Sequence, residues 1–169
     1  MKYVLQQAAL FVALLCLAVS AAGCDSNTTD EFRDFEGSWT VADLEVADDD
    51  GEALNSVFSR LESEYSDGTI TFTFSESDGV EEFNIFARRD KADTEDLNVA
   101  GDVQFSSGND VNFIGNFAGE NVNADYRFVD DQLLITAEDF EGASLLETLL
   151  PNWPTRPDTP VMRVTLERQ

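Results

Sequence analysis

The stretch that decides the fold is "TITFTFS", Thr69 to Ser75, in which apolar and hydroxyl side chains alternate one by one. Successive side chains of a β-strand point to opposite faces, so Ile70, Phe72 and Phe74 share one face and the threonines share the other. This period of two is the sequence signal of a strand with one buried face. The stretch therefore predicts a strand that covers an apolar core.

The same alternation recurs in seven further segments, which turn residues such as Ser77-Asp78-Gly79 and Asp130-Asp131 separate. The seven segments are SWTVADLEV (38–46), EEFNIFARR (81–89), LNVAGDVQF (97–105), VNFIGNF (111–117), VNADYRFV (122–129), QLLIT (132–136) and VMRVTLER (161–168). Clean alternation favours antiparallel strands. Eight of them in sequence predict an all-β fold, an eight-stranded up-and-down barrel without free sheet edges.

Two segments follow a helical period instead. In "EALNSVFSRLESEY", residues 52–65, apolar side chains recur at helical spacing on one face, which predicts a helix between the first two strands. A second, shorter helix is predicted from about Ala143 to Leu150, ended by Pro151, just before the last strand.

The N-terminus has the layout of a secretory signal peptide: Lys2, an apolar run from Ala9 to Val19, and then small residues. The alternative is an uncleaved membrane anchor, although the run is shorter than the ~20 residues that span a bilayer. "AAGC", residues 21–24, resembles the lipobox of bacterial lipoproteins, with Ala21 where that family usually has Leu. This resemblance implies that residues 1–23 are removed.

The lipobox resemblance further implies that Cys24 is acylated and anchors the protein in the cell envelope, at the outer membrane on its periplasmic or surface side. Residues 24–35 are then predicted to be the acylated cysteine and a flexible acidic tether, and residues 36–169 the barrel. Cys16 would leave with the signal peptide. The lipid bilayer is thus the expected partner, and the domain is expected to be a monomer.

Charge is the second strong signal. The chain without residues 1–23 has nine basic and 34 acidic residues, a formal net charge of −25. Nucleic acid is disfavoured as a partner because it offers no charge complementarity. Many acids with one remaining lysine, Lys91, resemble the composition of halophilic proteins, in which molar salt screens the repulsion. The alternative is a surface that binds a specific cation.

Several classes of site are excluded by the residue inventory. The chain contains no histidine, so a Ser-His-Asp triad, a Cys-His protease and a histidine zinc site are impossible. A single cysteine in the exported domain leaves no internal disulfide. "VADDDGE", residues 46–52, lacks the first and twelfth ligands of an EF-hand. We expect no catalytic residues, no metal site and no cofactor, and hence no enzyme.

"FEGSWTV", residues 35–41, holds a Gly37-x-Trp39 motif at the start of the first strand. Together with the eight-strand pattern, this resembles the lipocalin-like superfamily, which includes small exported lipoproteins. The resemblance implies that Trp39 packs under the closed end of the barrel and that a lid follows the first strand. The helix before the last strand departs from the lipocalin pattern.

The predicted inner face is rich in aromatic side chains, which could line an apolar pocket for a small hydrophobic molecule or fill the core. A structural or protein-interaction module at the envelope, with a filled core, is the alternative function. The inner residues are Phe72, Phe74, Phe83, Phe105, Phe113, Phe117, Tyr126 and Phe128.

Lipocalins also place an arginine of the last strand against the Gly-x-Trp tryptophan, and this chain offers Arg163 and Arg168. Leu166 belongs to the apolar face of the last strand, and Arg168 continues that face with period two. We therefore expect Arg168, and not Arg163, to cover Trp39 by a cation–π contact.

Overall fold

The computed structural model describes residues 28–47, 54–65, 68–89, 95–106, 108–119, 121–153 and 157–169. This part of the chain forms three helices and nine strands, and antiparallel pairing dominates its architecture. The elements in chain order are α1 (Thr28–Phe35), β1 (Gly37–Ala47), β2 (Asn55–Ser56), α2 (Phe58–Glu64), β3 (Thr71–Ser77), β4 (Val80–Ala87), β5 (Leu97–Phe105), β6 (Asp110–Gly115), β7 (Val122–Val129), β8 (Gln132–Ala137), α3 (Asp139–Leu149) and β9 (Val161–Arg168).

Eight of the strands close into a barrel. β1 pairs with β3, each strand from β3 to β8 pairs with the next, and β9 returns to pair with β1. All of these pairings are antiparallel, so the predicted eight-stranded up-and-down barrel is confirmed. Closure pairs every strand edge that an open sheet would leave free. The extra strand β2 has only two residues, too few for a period to show in the sequence, and it pairs with the end of β1.

Burial follows the predicted period of two. In β7, Val122, Ala124 and Tyr126 are buried, and Asn123 and Asp125 between them are exposed. Such alternation arises because one face of every strand meets the core and the other meets water.

The barrel has two structurally different ends. At the first, which we call the α1 end, α1 precedes β1, and two-residue turns join β3 to β4 and β7 to β8. Asp130 and Asp131 of the second turn both have positive φ, 49° and 66°, a conformation that aspartate tolerates better than most residues. At the opposite end, the α3 end, the connections are longer and contain α2 and α3.

Three predictions about local structure need correction. The segment predicted as a flexible tether is helical from Thr28 to Phe35, and Phe32 and Phe35 lie in the core, so the folded domain begins before residue 36. Helix α3 begins at Asp139, four residues earlier than the expected start at Ala143. Helix α2 covers only the second half of residues 52–65, because the chain first pairs with β1 through β2. None of the helices described here is long and apolar enough to cross a bilayer.

Candidate functional site

The inner face of the barrel is filled with aromatic rings. Seven of the eight predicted inner residues are buried: Phe72, Phe74, Phe83, Phe105, Phe113, Phe117 and Tyr126. The eighth, Phe128, keeps 39% of its surface exposed, although it has the same phase as Tyr126. Its place near the end of β7 explains the difference, because the core no longer covers that part of the strand.

Ring contacts connect the middle of the barrel to its α3 end. The ring centroids of Phe74 and Phe113 lie 6.3 Å apart, and those of Phe113 and Phe83 lie 5.3 Å apart. Phe83 then stacks on Phe117 at 5.6 Å. Aromatic pairs at 4.5–7 Å contribute beyond their burial, so this row of rings stabilises a solid interior.

Helix α1 closes the barrel at the other end. Phe35 is fully buried, and its ring meets four others edge to face at 4.8–5.4 Å. Phe32 makes a similar edge contact with Phe105 at 6.2 Å. The indole Nε1–H of Trp39 donates a 2.7 Å hydrogen bond to the carbonyl oxygen of Phe35, which connects β1 to the end of α1. The four rings around Phe35 are Phe74, Phe105, Tyr126 and Phe128.

Arg168 covers the tryptophan, as the phase of the last strand predicts. Trp39 and Arg168 are direct partners in the β1–β9 register, and the guanidinium carbon lies 4.5 Å from the centroid of the indole ring. Its two terminal nitrogens donate to the carbonyl oxygens of Asp34 (2.8 Å) and Glu36 (3.2 Å). A cation at the C-terminus of a helix is stabilised by these free carbonyls and by the helix dipole. Arg168 therefore joins β9, Trp39 and α1.

The neighbouring positions agree with this arrangement. Gly37 has φ of 120°, in the region that favours glycine, and it lets the chain turn from α1 into β1. Arg163 points to the outside of the barrel, where it forms a 3.5 Å ion pair with Glu45.

The α3 end is closed by the two other helices. Leu61 of α2 is fully buried, as are Leu146 and Leu149 of α3. The phenol of Tyr65, which follows α2, donates a 2.5 Å hydrogen bond to the carbonyl oxygen of Leu149. Burial raises the pKa of Tyr65, and nearby Arg89 opposes that shift. A protonated phenol is the form that this hydrogen bond needs.

A cleft of about 640 Å³ lies outside the closed α1 end. Trp39 and Phe128 form part of its wall, and Asp34, Asp130 and Asp131 give it an acidic rim. The cleft therefore combines aromatic surface with negative charge, although Arg168 already lies over the indole.

Acidic side chains crowd the outer surface. Asp110 and Asp125 are direct partners across β6 and β7, and they line a second cleft with Glu138 and Glu141. The hydrogen bond between the two aspartates, then desolvation and repulsion, raises the pKa of Asp125. No group of three or more Asp, Glu, Cys or His side chains in the described ranges is placed to hold a metal ion. We expect salt to weaken the repulsion between these acidic side chains.

We expect the thermal midpoint of unfolding to rise by on the order of 10 °C between low salt and molar KCl. Salt shortens the range of the repulsion that the acidic excess, a formal charge of −25 without residues 1–23, produces in the compact state. Circular dichroism melts at increasing KCl measure the effect. The variant Asp110→Asn removes one partner of the aspartate pair and should have a higher midpoint than the wild type at low salt. A midpoint independent of salt would contradict the prediction and point to local pairing or a bound cation.

Cys24, the predicted acylation site, lies outside the described residues. The residues that sequence reasoning missed are Phe32 and Phe35 of α1 and the Tyr65–Leu149 contact. The spacing of three residues between Phe32 and Phe35 places both on one face of a helix, and this spacing was the signal in the sequence that could have revealed them. The two phenylalanines lie within an acidic segment, which favoured the interpretation as a tether.

Comparison with known proteins adds little. No family model matches the chain, and no curated protein matches it. Among solved structures, a redesigned beta barrel aligns with 82% of this chain and 94% of its own, with 12% sequence identity and a TM-score of 0.41. A similarity of this level carries no argument about function.

Proposed function

We propose that this protein is an exported lipoprotein, held in the cell envelope by an acylated Cys24, whose barrel is a non-enzymatic structural or protein-interaction module. The N-terminal pattern that ends in "AAGC" supports the anchor. Two or three acyl chains at one site suffice for stable attachment, since each buried CH₂ contributes about 0.8 kcal/mol. The acidic composition supports the further proposal that the protein works in an environment rich in salt.

The filled interior is the observation that favours a module over a lipocalin-like calyx. A hydrophobic ligand inside the barrel would have to displace the rings that touch one another from Phe35 to Phe117. Helix α1 closes one end, and Leu61 and Leu149 are buried beneath the other. Removing one buried aromatic side chain from a core lowers the free energy of unfolding by about 3–5 kcal/mol. The contacts of a small ligand would have to offset that loss for every ring that it displaced.

A small hydrophobic molecule in the cleft at the α1 end is the second candidate. The cleft volume of about 640 Å³ falls within the usual range for small-molecule sites, and Phe128 and Val129 offer apolar surface there. Mass spectrometry of organic extracts from the purified protein distinguishes the two functions. We expect only the acyl chains of the anchor. A stoichiometric apolar molecule that is lost in Phe128→Asp would favour the ligand-binding function instead.

The anchor is tested by Cys24→Ser. We expect this variant to leave the membrane fraction or to accumulate as an uncut precursor, because no thiol is available for acylation. The matched control is Cys16→Ser, which lies within the predicted signal peptide and should be processed and fractionate like the wild type. Fractionation with mass spectrometry of the N-terminal peptide gives the result. A Cys24→Ser protein that is processed and fractionates like the wild type would show that the lipoprotein assignment is wrong.

A further inference from the structure

The distance between the proposed anchor and the folded barrel is short. Helix α1 begins at Thr28, so only residues 25–27 separate it from Cys24. Four steps between successive Cα atoms span at most about 15 Å, even in a fully extended chain. A tether of twelve residues would have let the barrel rotate freely, but most of that segment is part of the fold.

Helix α1 lies at one particular end of the barrel. Phe35 contacts Phe105, the last residue of β5, and Phe128, the second-last residue of β7, and these two strand ends lie at this opening. A membrane attached through Cys24 is therefore near the α1 end. In β4, whose ends lie at opposite ends of the barrel, Val80 and Phe86 are separated by about 20 Å along the strand.

The surface of the α1 end carries both apolar and acidic side chains. Val80 and Val129 are exposed there, at 44% and 41%, and Phe128, which precedes Val129 in the chain, is partly exposed. The turns beside them carry Asp78, Asp130 and Asp131. Exposed apolar side chains among acids suit the interface of a zwitterionic bilayer, whereas anionic lipids would be repelled.

We propose that the α1 end of the barrel rests on the surface of a zwitterionic bilayer, with Val80, Phe128 and Val129 facing the lipid and the α3 end directed away from it. This orientation rests on the proposed acylation of Cys24. It leaves α2, α3 and the strongly exposed Phe140 as the part of the barrel that soluble partners can reach.

Two single-cysteine variants on one strand provide the test. Val80→Cys and Phe86→Cys replace side chains of nearly equal exposure, 44% and 42%, at opposite ends of β4. The full-length protein is expressed, acylated, labelled with a thiol-reactive fluorophore and reconstituted in phosphatidylcholine vesicles. A fraction of the lipid carries a nitroxide on its headgroup, which quenches fluorophores that lie close to the membrane. The acylated Cys24 has no free thiol, so the label reports only the new cysteine.

We expect severalfold stronger quenching at position 80 than at position 86. A second pair, Val129→Cys and Phe140→Cys, should behave in the same way, with stronger quenching at position 129 than at position 140. Insertion of twenty Gly and Ser residues between Asn27 and Thr28 should make quenching nearly equal within each pair, because the barrel can then rotate. Equal quenching with the native spacing, or stronger quenching at 86 and 140, would overturn the orientation while leaving the anchor intact. Protein that does not float with the vesicles would overturn the anchor, and the orientation with it.

Discussion

Replacement of Phe35 by alanine is expected to lower the free energy of unfolding by about 3–5 kcal/mol, the usual cost of truncating a buried phenylalanine. The Phe35 ring has no exposed surface and makes four edge-to-face contacts, with centroids 4.8–5.4 Å away. Its loss leaves a cavity where α1 closes the barrel. The backbone carbonyl that accepts the Trp39 hydrogen bond is retained, so the measured loss reports mainly on the packing of the ring. Urea unfolding followed by tryptophan fluorescence gives the difference.

The matched control is Phe140→Ala. Phe140 is a phenylalanine on the helix at the other end, but 74% of its surface is exposed. Its truncation should change stability by less than about 0.5 kcal/mol. If the two variants were equally stable, α1 would not be an integral part of the core, and residues 28–35 would behave as the tether that the sequence suggests.

Gly101→Val is expected to prevent the barrel from closing, with a cost above about 4–5 kcal/mol. An ideal Cβ on Gly101 would lie 1.9 Å from the carbonyl oxygen of Ile114 and 2.8 Å from the Cα of Gly115. Both are backbone atoms of the paired strand β6, so no side-chain rotation can make room. The strands would have to separate and lose their ladder of hydrogen bonds. Near-ultraviolet circular dichroism and amide NMR spectra would show the loss of tertiary structure.

Ala100→Val is the control for this effect. It introduces the same side chain one residue earlier, where the strand faces outward and Ala100 is exposed. We expect a folded protein with nearly wild-type stability, since valine is a good strand residue. Folded, stable Gly101→Val protein would mean that β5 and β6 do not approach each other as closely as the structure has them.

The sequence by itself determined the eight barrel strands and their phases. Alternation is a local property: in β3, for example, Phe72 and Phe74 must share a face whatever surrounds them. The same rule extends from Leu166 to Arg168, and this is why Arg168 rather than Arg163 could be chosen for the contact with Trp39 that the lipocalin resemblance implied. The number of barrel strands followed from counting such segments between turn residues.

Tertiary structure alone decided which side chains close the barrel. The spacing of Phe32 and Phe35 suggests one face of a helix, but it does not identify Phe35 as a core residue, because its partners come from β3, β5 and β7. The contact of Tyr65 with Leu149 likewise joins segments 84 residues apart. Phe128 continues the buried phase of β7 but stays 39% exposed, because it lies near the end of the strand, where alternation alone does not decide burial. Period and turn chemistry act between neighbours in sequence, whereas closure depends on contacts that exist only once the barrel has formed.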